Sequence, residues 1–377
     1  MGSNLVHCLV QQMNVRPEDI RIFYLANSPT GSLKDIEGLD FFAGNVLNEK
    51  DVKEACKDVQ LAFHMIGSTT FDSRQKKMQW LVNVEGTRNV LEAYRQSNSI
   101  EKLCYTSTVN TLAIPDPVGS IGNFENSDPY KNIPCLHSFS SREEILKFAG
   151  QVHNNKNAGW EKRIGIGYYD SKLAAQELVN EYVREHGLNI VSILPGTMFG
   201  AYDYLIGTGM YVLSLYHHKM PAVLTGGLPL AHVADVAEGH LLAMEKANPG
   251  TKYILTGLKE DNRYFKEMAA IVVDVLQKKF PDKKFKAPTM VIPKWLAMTG
   301  AFISEQFAKI FNRPMLLSRD AIRAGVYPAF YTYQNAERDL GYKPKRTFRE
   351  GIEDMVDYYE KENLLEVNER FIDKRKK

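Results

Sequence analysis

Cysteine is scarce: the 377 residues hold only Cys8, Cys56, Cys104 and Cys135. None forms a CxxC pair or stands in a His/Cys pattern with metal-ligand spacing, so neither a disulfide framework nor a metal centre is expected. Each reads as a small apolar residue in a reduced compartment, which assigns the chain to the cytoplasm. No secretory-signal pattern appears in the sequence, so none is expected, and there is no long apolar run. The most apolar stretch, "WLAMTGAFIS" from Trp295, meets Glu305 and Lys309 before it could span a bilayer, so it reads as a helix with one buried face. Charge of one sign is lacking too. Forty-seven Lys and Arg against 45 Asp and Glu leave +2, with the basic residues dispersed among acids, which argues against a nucleic-acid face. The tail "DKRKK" at Asp373–Lys377 is the exception and reads as a solvated terminus. Internal repeats and low-complexity segments are absent.

What is present is an alternation. "IRIFYL", "LDFFAG", "VQLAFHMIG", "EKLCYTSTV" and "NIVSILPG" are apolar strands. Between them lie a polar helix from Glu49 to Cys56, a long helix through "WLVNVEGTRNVLEAYRQ", and "YYDSKLAAQELVNEYVREHG", closed by Gly187. "VADVAEGHLLAMEKA" and "TKYILTG" add a further helix and a late strand. Apolar strands alternating with helices predict an α/β fold, a doubly wound parallel sheet covered on both faces. Ligands of such sheets bind beyond the strand C-termini. Residues 1–195 and 232–257 form the expected sheet domain, and 196–231 and 258–377 a smaller, mostly helical substrate lobe. Residues 114–165, rich in Pro, Asn, Ser and Gly with one short helix near "SREEILKFAG", read as an insertion over the site.

Tyr168 and Lys172 stand four apart on one helix, hence on one face. A neighbouring ammonium favours the phenolate and lowers the phenol's pKa, suiting it to acid–base work at a carbonyl or carbinol. Tyr169 has Leu173 at that spacing and does not qualify. Upstream, "CYTSTV" ends a strand in three hydroxyls, Thr106, Ser107 and Thr108, any of which could bond a substrate oxygen. Asn83 and Gly86 lie on the helix after the third strand. Pro195 and Gly196 end a strand where backbone can approach a flat ring. His232 and Asp235 open "HVADVAEGH", where a lone histidine is more often structural.

In this order the pieces resemble the extended short-chain dehydrogenase/reductase superfamily, nearest its 3β-hydroxysteroid dehydrogenase and dihydroflavonol-reductase-like branch. "VNVEGTRNVLEA", "LCYTSTV", "YYDSKLAAQELV", "ILPGTMFG", "HVADVAEGHLLAME" and "AERDLGYKPKRTFREGIEDMVDYY" carry the resemblance along nearly the whole chain. It implies a Rossmann-type sheet, NAD or NADP, and hydride transfer at a secondary alcohol or ketone. It makes Tyr168 the acid/base and Lys172 the holder of the nicotinamide ribose. Thr108 becomes the catalytic hydroxyl, with Ser107 its confusable neighbour, and Asn83 supports a water network. On the cofactor it places Gly2, Gly44, Asn45, Val46, Met65, Ile66, Gly67, Pro195 and Gly196. Asn45 replaces the usual aspartate beside adenine. Relatives pair through the helix matching that of Tyr168, so a homodimer is implied as well.

In that family a first strand enters a Gly-x-x-Gly-x-x-Gly loop before a helix. "MGSNLVHCLV" matches only the third glycine, Gly2, and the amphipathic helix after it. The expectation is therefore a chain without the first strand; a start codon with a vector-derived scar is the competing reading of "MGS". "YLANSP" offers neither the acid of NAD users nor the basic residue of NADP users; Tyr24, Asn27 and Ser28 suit a ribose hydroxyl or a phosphate about equally, and the overall lean is slightly to NAD. The apolar stretches 204–224 and 290–303 point to a steroid-, terpenoid- or flavonol-like substrate. A sugar-nucleotide epimerase or dehydratase is the alternative, although only His217, His218 and Lys219 could meet its second diphosphate. A truncated or non-catalytic family member is a third. Without the first strand's cradle, weak or absent binding is expected when this chain is titrated calorimetrically with NAD(H) and NADP(H); micromolar affinity would overturn that.

Overall fold

The computed structural model describes residues 1–115, 118–122, 165–313, 315 and 317–366. The amphipathic opening folds as α1 (Gly2–Gln11), whose Val6 packs with Ile20 and Leu33. β1 (Arg21–Tyr24) and β2 (Asp40–Ala43) follow, then α2 (Glu49–Ala55), with Asn48 accepting from the Lys50 amide as its cap, and β3 (Leu61–His64). α3 (Lys76–Trp80) and α4 (Gly86–Gln96) are one helix interrupted by a π turn at Leu81–Glu85. The helix expected from Trp80 thus begins earlier and carries a bulge, a feature that often re-aims side chains at functional sites. β4 (Lys102–Thr106), α5 (Gly167–His186) and β5 (Ile190–Pro195) complete the first half. Gly187 closes α5 at φ +64°, the left-handed position expected of it.

Then come β6 (Thr197–Phe199), α6 (Met210–Tyr216), β7 (Gly227–His232), α7 (Val233–Lys246), β8 (Lys252–Leu255), β9 (Asn262–Tyr264) and α8 (Phe265–Lys279). α9 (Lys294–Ile310), α10 (Arg319–Gly325), α11 (Gln334–Leu340) and α12 (Phe348–Lys361) end the described chain.

The central sheet is parallel, in the order β8-β5-β4-β3. The fold is the expected Rossmann-like α/β arrangement. β1 and β2 form a separate parallel pair; among the described residues β1 has no strand partner but β2, and β3 none but β4. Phe23 of β1 and Ala62 of β3 nevertheless pack against one apolar cluster, with Leu91, Leu103 and Leu178 at its heart. Side chains, not a shared ladder, join the two pieces. A second cluster lies between β5, β8 and α7 and includes Ala336 and Leu340 of α11. A third gathers α6, α8 and α12 around Val212, Val272 and Ile352. The small sheet β9-β7-β6 connects the regions.

The "WLAMTGAFIS" helix is α9, with one buried face as expected, and that face is its small one: Ala297, Ala301 and Ala308, with Glu305. The alanines let α9 approach Ile322 and Val326 closely, and Glu305 turns inward to accept from the Arg319 amide and guanidinium. Its large side chains point outward. The short helix expected near residues 141–150, Cys135 and the "DKRKK" tail lie outside the described residues. Cys8, Cys56 and Cys104 are free thiols.

α7 is tied to the segment entering α12 by Asp235, which is 1% exposed and accepts from the Lys345 and Arg346 amides and the Arg346 guanidinium. Removing the carboxylate strands three donors, one of them charged. Asp235→Ala is expected to lower unfolding free energy by about 3 kcal/mol, read from urea denaturation.

Candidate active site

The four parallel strands end on one edge, so Met65–Gly67, Thr106–Thr108, Pro195–Gly196 and Thr256 follow the C-termini of neighbouring strands. α5 brings Tyr168 and Lys172 to the same edge. Lys172, 5% exposed, donates from Nζ to the Thr106 carbonyl (2.8 Å) and the Tyr105 hydroxyl (3.1 Å). Burial lowers its pKa from 10.5 to about 7. Tyr168 is partly exposed, and its phenol hydrogen-bonds the Thr108 hydroxyl. Two donors of Asn110, its amide at 3.3 Å and its Nδ2 at 3.1 Å, point at Thr108 Oγ1. That leaves the Thr108 hydrogen to face the phenol.

The ammonium does not acidify the tyrosine, contrary to expectation. Burial pushes Tyr168 up, to about 12, and the Thr108 bond offsets only part of this. Lys172 bonds Tyr105 and Thr106, and with its own pKa brought down to about 7 it is neutral where the phenol titrates, so no lowering follows.

Ser107 and Thr108 separate clearly. Thr108 faces Tyr168, whereas Ser107 Oγ is buried with no partner. Asn83, from the π turn, accepts from the Ser68 amide (2.7 Å) and donates to the Ser68 carbonyl and to Ser171 Oγ (2.9 Å). It ties the loop after β3 to α5. Gly67 lies against this knot: a Cβ there would come 3.3 Å from Asn83 Oδ1 and 4.0 Å from Lys172 Nζ. Gly196 is equally constrained, since a Cβ would meet the Pro229 carbonyl at 2.5 Å. Gly44 and Asn45 follow β2. Asn45 Oδ1 accepts from the Leu47 amide, making a turn, and Val46 is buried against Gly86. Gly2 opens α1 with open space where a side chain would be. His232 caps α7 by accepting from the Ala234 amide and faces Asp354, a structural role.

Several contributors carried no motif. Gln79 holds the loop after β3 by donating to the Ser68 and Thr70 carbonyls. Thr87 donates to the Asn83 carbonyl and accepts from His64 Nε2. The signal was the spacing: Gln79, Asn83 and Thr87, four apart, are each 1% exposed, a polar seam inside an apolar helix. His64, pulled down to about 3 by burial and the nearby Lys172, stays neutral. Asp320 accepts from the Gly167 amide and pairs with Lys76 at 2.6 Å, fixing the start of α5. Phe71 stands edge-on to the Tyr168 ring.

With this geometry in view, the likenesses can be weighed. Residues 1–141 match the 3-beta hydroxysteroid dehydrogenase/isomerase family. The family match and the relatives point the same way as the motifs, to a resemblance to the extended short-chain dehydrogenase/reductase superfamily. It is 26% identical, over 97% of its length and 94% of the relative's, to a Synechocystis protein provisionally named dihydroflavonol 4-reductase. Among solved structures it resembles gox2253 (TM-score 0.72, 24% identity, 96% of each chain). It also resembles a Streptomyces venezuelae dTDP-glucose 4,6-dehydratase solved with NAD (TM-score 0.65, 16% identity, 96% of this chain and 94% of that one). The superfamily comprises NAD(P)-dependent dehydrogenases and reductases alongside sugar-nucleotide epimerases and dehydratases.

The buried ammonium has a measurable consequence. Below pH 7 Lys172 is charged both folded and unfolded; between about 7 and 10.5 only the unfolded chain holds the proton. Stability attributable to this residue therefore rises with pH across that window, by up to about 1.4 kcal/mol per unit. The difference between wild-type and Lys172→Met unfolding free energies, measured from pH 7 to 9, is expected to carry that slope; parallel curves would contradict it.

Proposed function

We propose that the protein is an NAD(P)-dependent oxidoreductase that interconverts a secondary alcohol and a ketone on an apolar substrate. The observation that carries this reading is the pairing of the Tyr168 phenol with Thr108 beside a buried ammonium at the sheet's C-terminal edge. The residues fit a dinucleotide. Ser107 Oγ is an unsatisfied buried hydroxyl, Gly67 leaves Lys172 Nζ approachable, and two of the three ammonium hydrogens already have partners. The third would hold a ribose hydroxyl, with Gly67 and Pro195–Gly196 beside the nicotinamide and Gly44 and Asn45 toward adenine. When bound, the nicotinamide supplies or accepts the hydride.

The chain's own groups manage the proton. In the reducing direction Tyr168 Oη gives its proton to the oxygen of the former carbonyl as the C–H bond forms; in oxidation it takes that proton back. A phenol held near 12 is a poor base in the cofactor-free chain but a competent acid toward an alkoxide. Thr108 donates toward the same oxygen and orients the substrate. A positive charge brought close by the oxidised nicotinamide favours the phenolate, so base strength would arise on loading. The lean to NAD stays part of this proposal.

The apolar substrate class is supported by the fate of the nearby basic residues. His217 bonds the Leu365 carbonyl and His218 stacks on Phe285, which turns both toward the helical region's own packing. The dTDP-glucose dehydratase likeness favours the second reading, a sugar-nucleotide substrate, at the level of fold only.

At saturating cofactor, Tyr168→Phe is expected to lower kcat for alcohol oxidation by about 10²-fold or more, with NADH affinity, followed by fluorescence, no weaker than that of the wild type. Unchanged turnover would remove the acid–base assignment. A melting-temperature rise with steroids but not with UDP-sugars supports the apolar substrate, and the reverse supports the alternative.

A further inference from the structure

Among the described residues, more than half of the large apolar side chains that stand exposed lie between Met290 and Leu317. On α9 they are Trp295 (69% exposed), Leu296, Phe302, Ile303, Phe307 and Ile310 (74%). Their spacing puts them on one half of the helix, opposite the buried alanines. A helix that keeps alanine inside and tryptophan, phenylalanine and isoleucine outside is inverted relative to a soluble surface helix. Its exposed charges share one sign. Lys309 and Arg313 flank the face, Lys294 at the helix start donates to the Tyr327 hydroxyl, and the acid of the helix, Glu305, is buried and satisfied by Arg319. No helix among the described residues is long and apolar enough to cross a membrane. Seventeen residues of helix give a face ~25 Å long that could lie along one.

We propose that α9 is an interfacial helix that seats the protein on the surface of an anionic lipid bilayer. Trp295, Phe302, Ile303, Phe307 and Ile310 would enter the headgroup–acyl boundary, and Lys309 and Arg313 would meet the lipid phosphates. Charge complementarity selects this occupant. Aromatic and β-branched groups beside the exposed cations of the same segment, Lys309 and Arg313, match anionic lipid, whereas a second copy related by two-fold symmetry would bring like charges together. The placement also matters. Arg74 Nη1 donates to the carbonyls of Ala308 and Arg313, and α10, packed on α9, holds the Gly167 amide through Asp320. The seated face is thereby coupled to the start of the Tyr168 helix. The surface argument does not depend on the redox reading.

The test is flotation of the full chain with phosphatidylcholine vesicles, with and without phosphatidylglycerol, at low and high salt. The wild type is expected to float with the anionic vesicles at low salt and to show a blue shift of tryptophan emission that Trp295→Phe removes. A variant carrying Phe302→Gln, Ile303→Gln, Phe307→Gln and Ile310→Gln should stay with the aqueous fraction while keeping its circular-dichroism melt. Should that variant misfold, Lys309→Glu with Arg313→Glu gives the independent reading, a loss of about tenfold or more in partitioning to anionic vesicles. Wild-type protein that remains aqueous with every vesicle overturns the proposal. So does a wild-type dimer in light scattering that the quadruple variant dissolves, without vesicle binding, since it assigns the face to a second copy.

Discussion

A buried ammonium needs acceptors, and Lys172 takes the last carbonyl of β4 and the hydroxyl of Tyr105. Much of the candidate site follows from that need. Fixing Nζ on Thr106 pins α5 to the sheet edge and so sets the position of Tyr168 one helical turn away. Thr106 is itself held from its side chain. His240 Nδ1 donates to the Val236 carbonyl, which leaves Nε2 to accept from Thr106 Oγ1. Burial keeps that imidazole neutral by pulling it down to about 4, so the contact does not switch near physiological pH. Beneath the lysine, His64, Thr87 and Asn83 form a chain of donors that ends at the loop carrying Gly67 and Ser68. The polar network is thus continuous from the loop after β3 to the helix behind β5. A fault at one member is felt at the phenol through geometry.

The alternation of strands and helices was readable because a parallel sheet buried on both faces writes itself as short apolar runs. The Tyr168–Lys172 pair was readable because helical spacing alone puts the two on one face. The direction of the tyrosine's shift was not. Spacing reveals proximity, but the balance between an ammonium's field and the loss of water depends on burial, which brings Lys172 down to about 7 and leaves it neutral where the phenol titrates. The same holds for Ser107 against Thr108. Both lie beyond the end of β4, and which one meets the phenol is set by the turn that Thr108 caps at Val109–Thr111. The Gln79–Asn83–Thr87 seam shows the limit from the other side: its pattern was in the sequence but named no chemistry until the loop it holds was in view.

α9 illustrates a different gap. Periodicity identifies a face but not its direction. The large residues of "WLAMTGAFIS" look like a core stripe, and only the closeness of α9 to Ile322 and Val326, and Glu305's turn toward Arg319, make the alanine side the inner one. An inner glutamate is a poor fit for an apolar core but a good anchor when an arginine on the next helix reaches it. The bond between them fixes the rotation of the whole helix and hence what it presents outward.

The division of the sheet bears on which half of the site is rigid. Tyr168, Lys172, Thr108, Gly67 and Gly196 all depend on β3, β4, β5 and β8, a continuous hydrogen-bonded ladder. Gly44 and Asn45 depend on β1 and β2, which share no ladder with it and reach it by packing, through Phe23 and Val46 against the Leu91 cluster, and by a bond from Asn89 Nδ2 to the Val46 carbonyl. Packing without a shared ladder resists separation but tolerates sliding, since apolar contact is non-directional. The phenol, the ammonium and Thr108 are therefore held by a continuous ladder, whereas Gly44 and Asn45 are held to it by packing and by the Asn89 bond to the Val46 carbonyl. A ligand bridging both halves would gain the ordering of the second as a cost to its affinity, and that cost would fall on dinucleotide binding rather than on the geometry of the phenol.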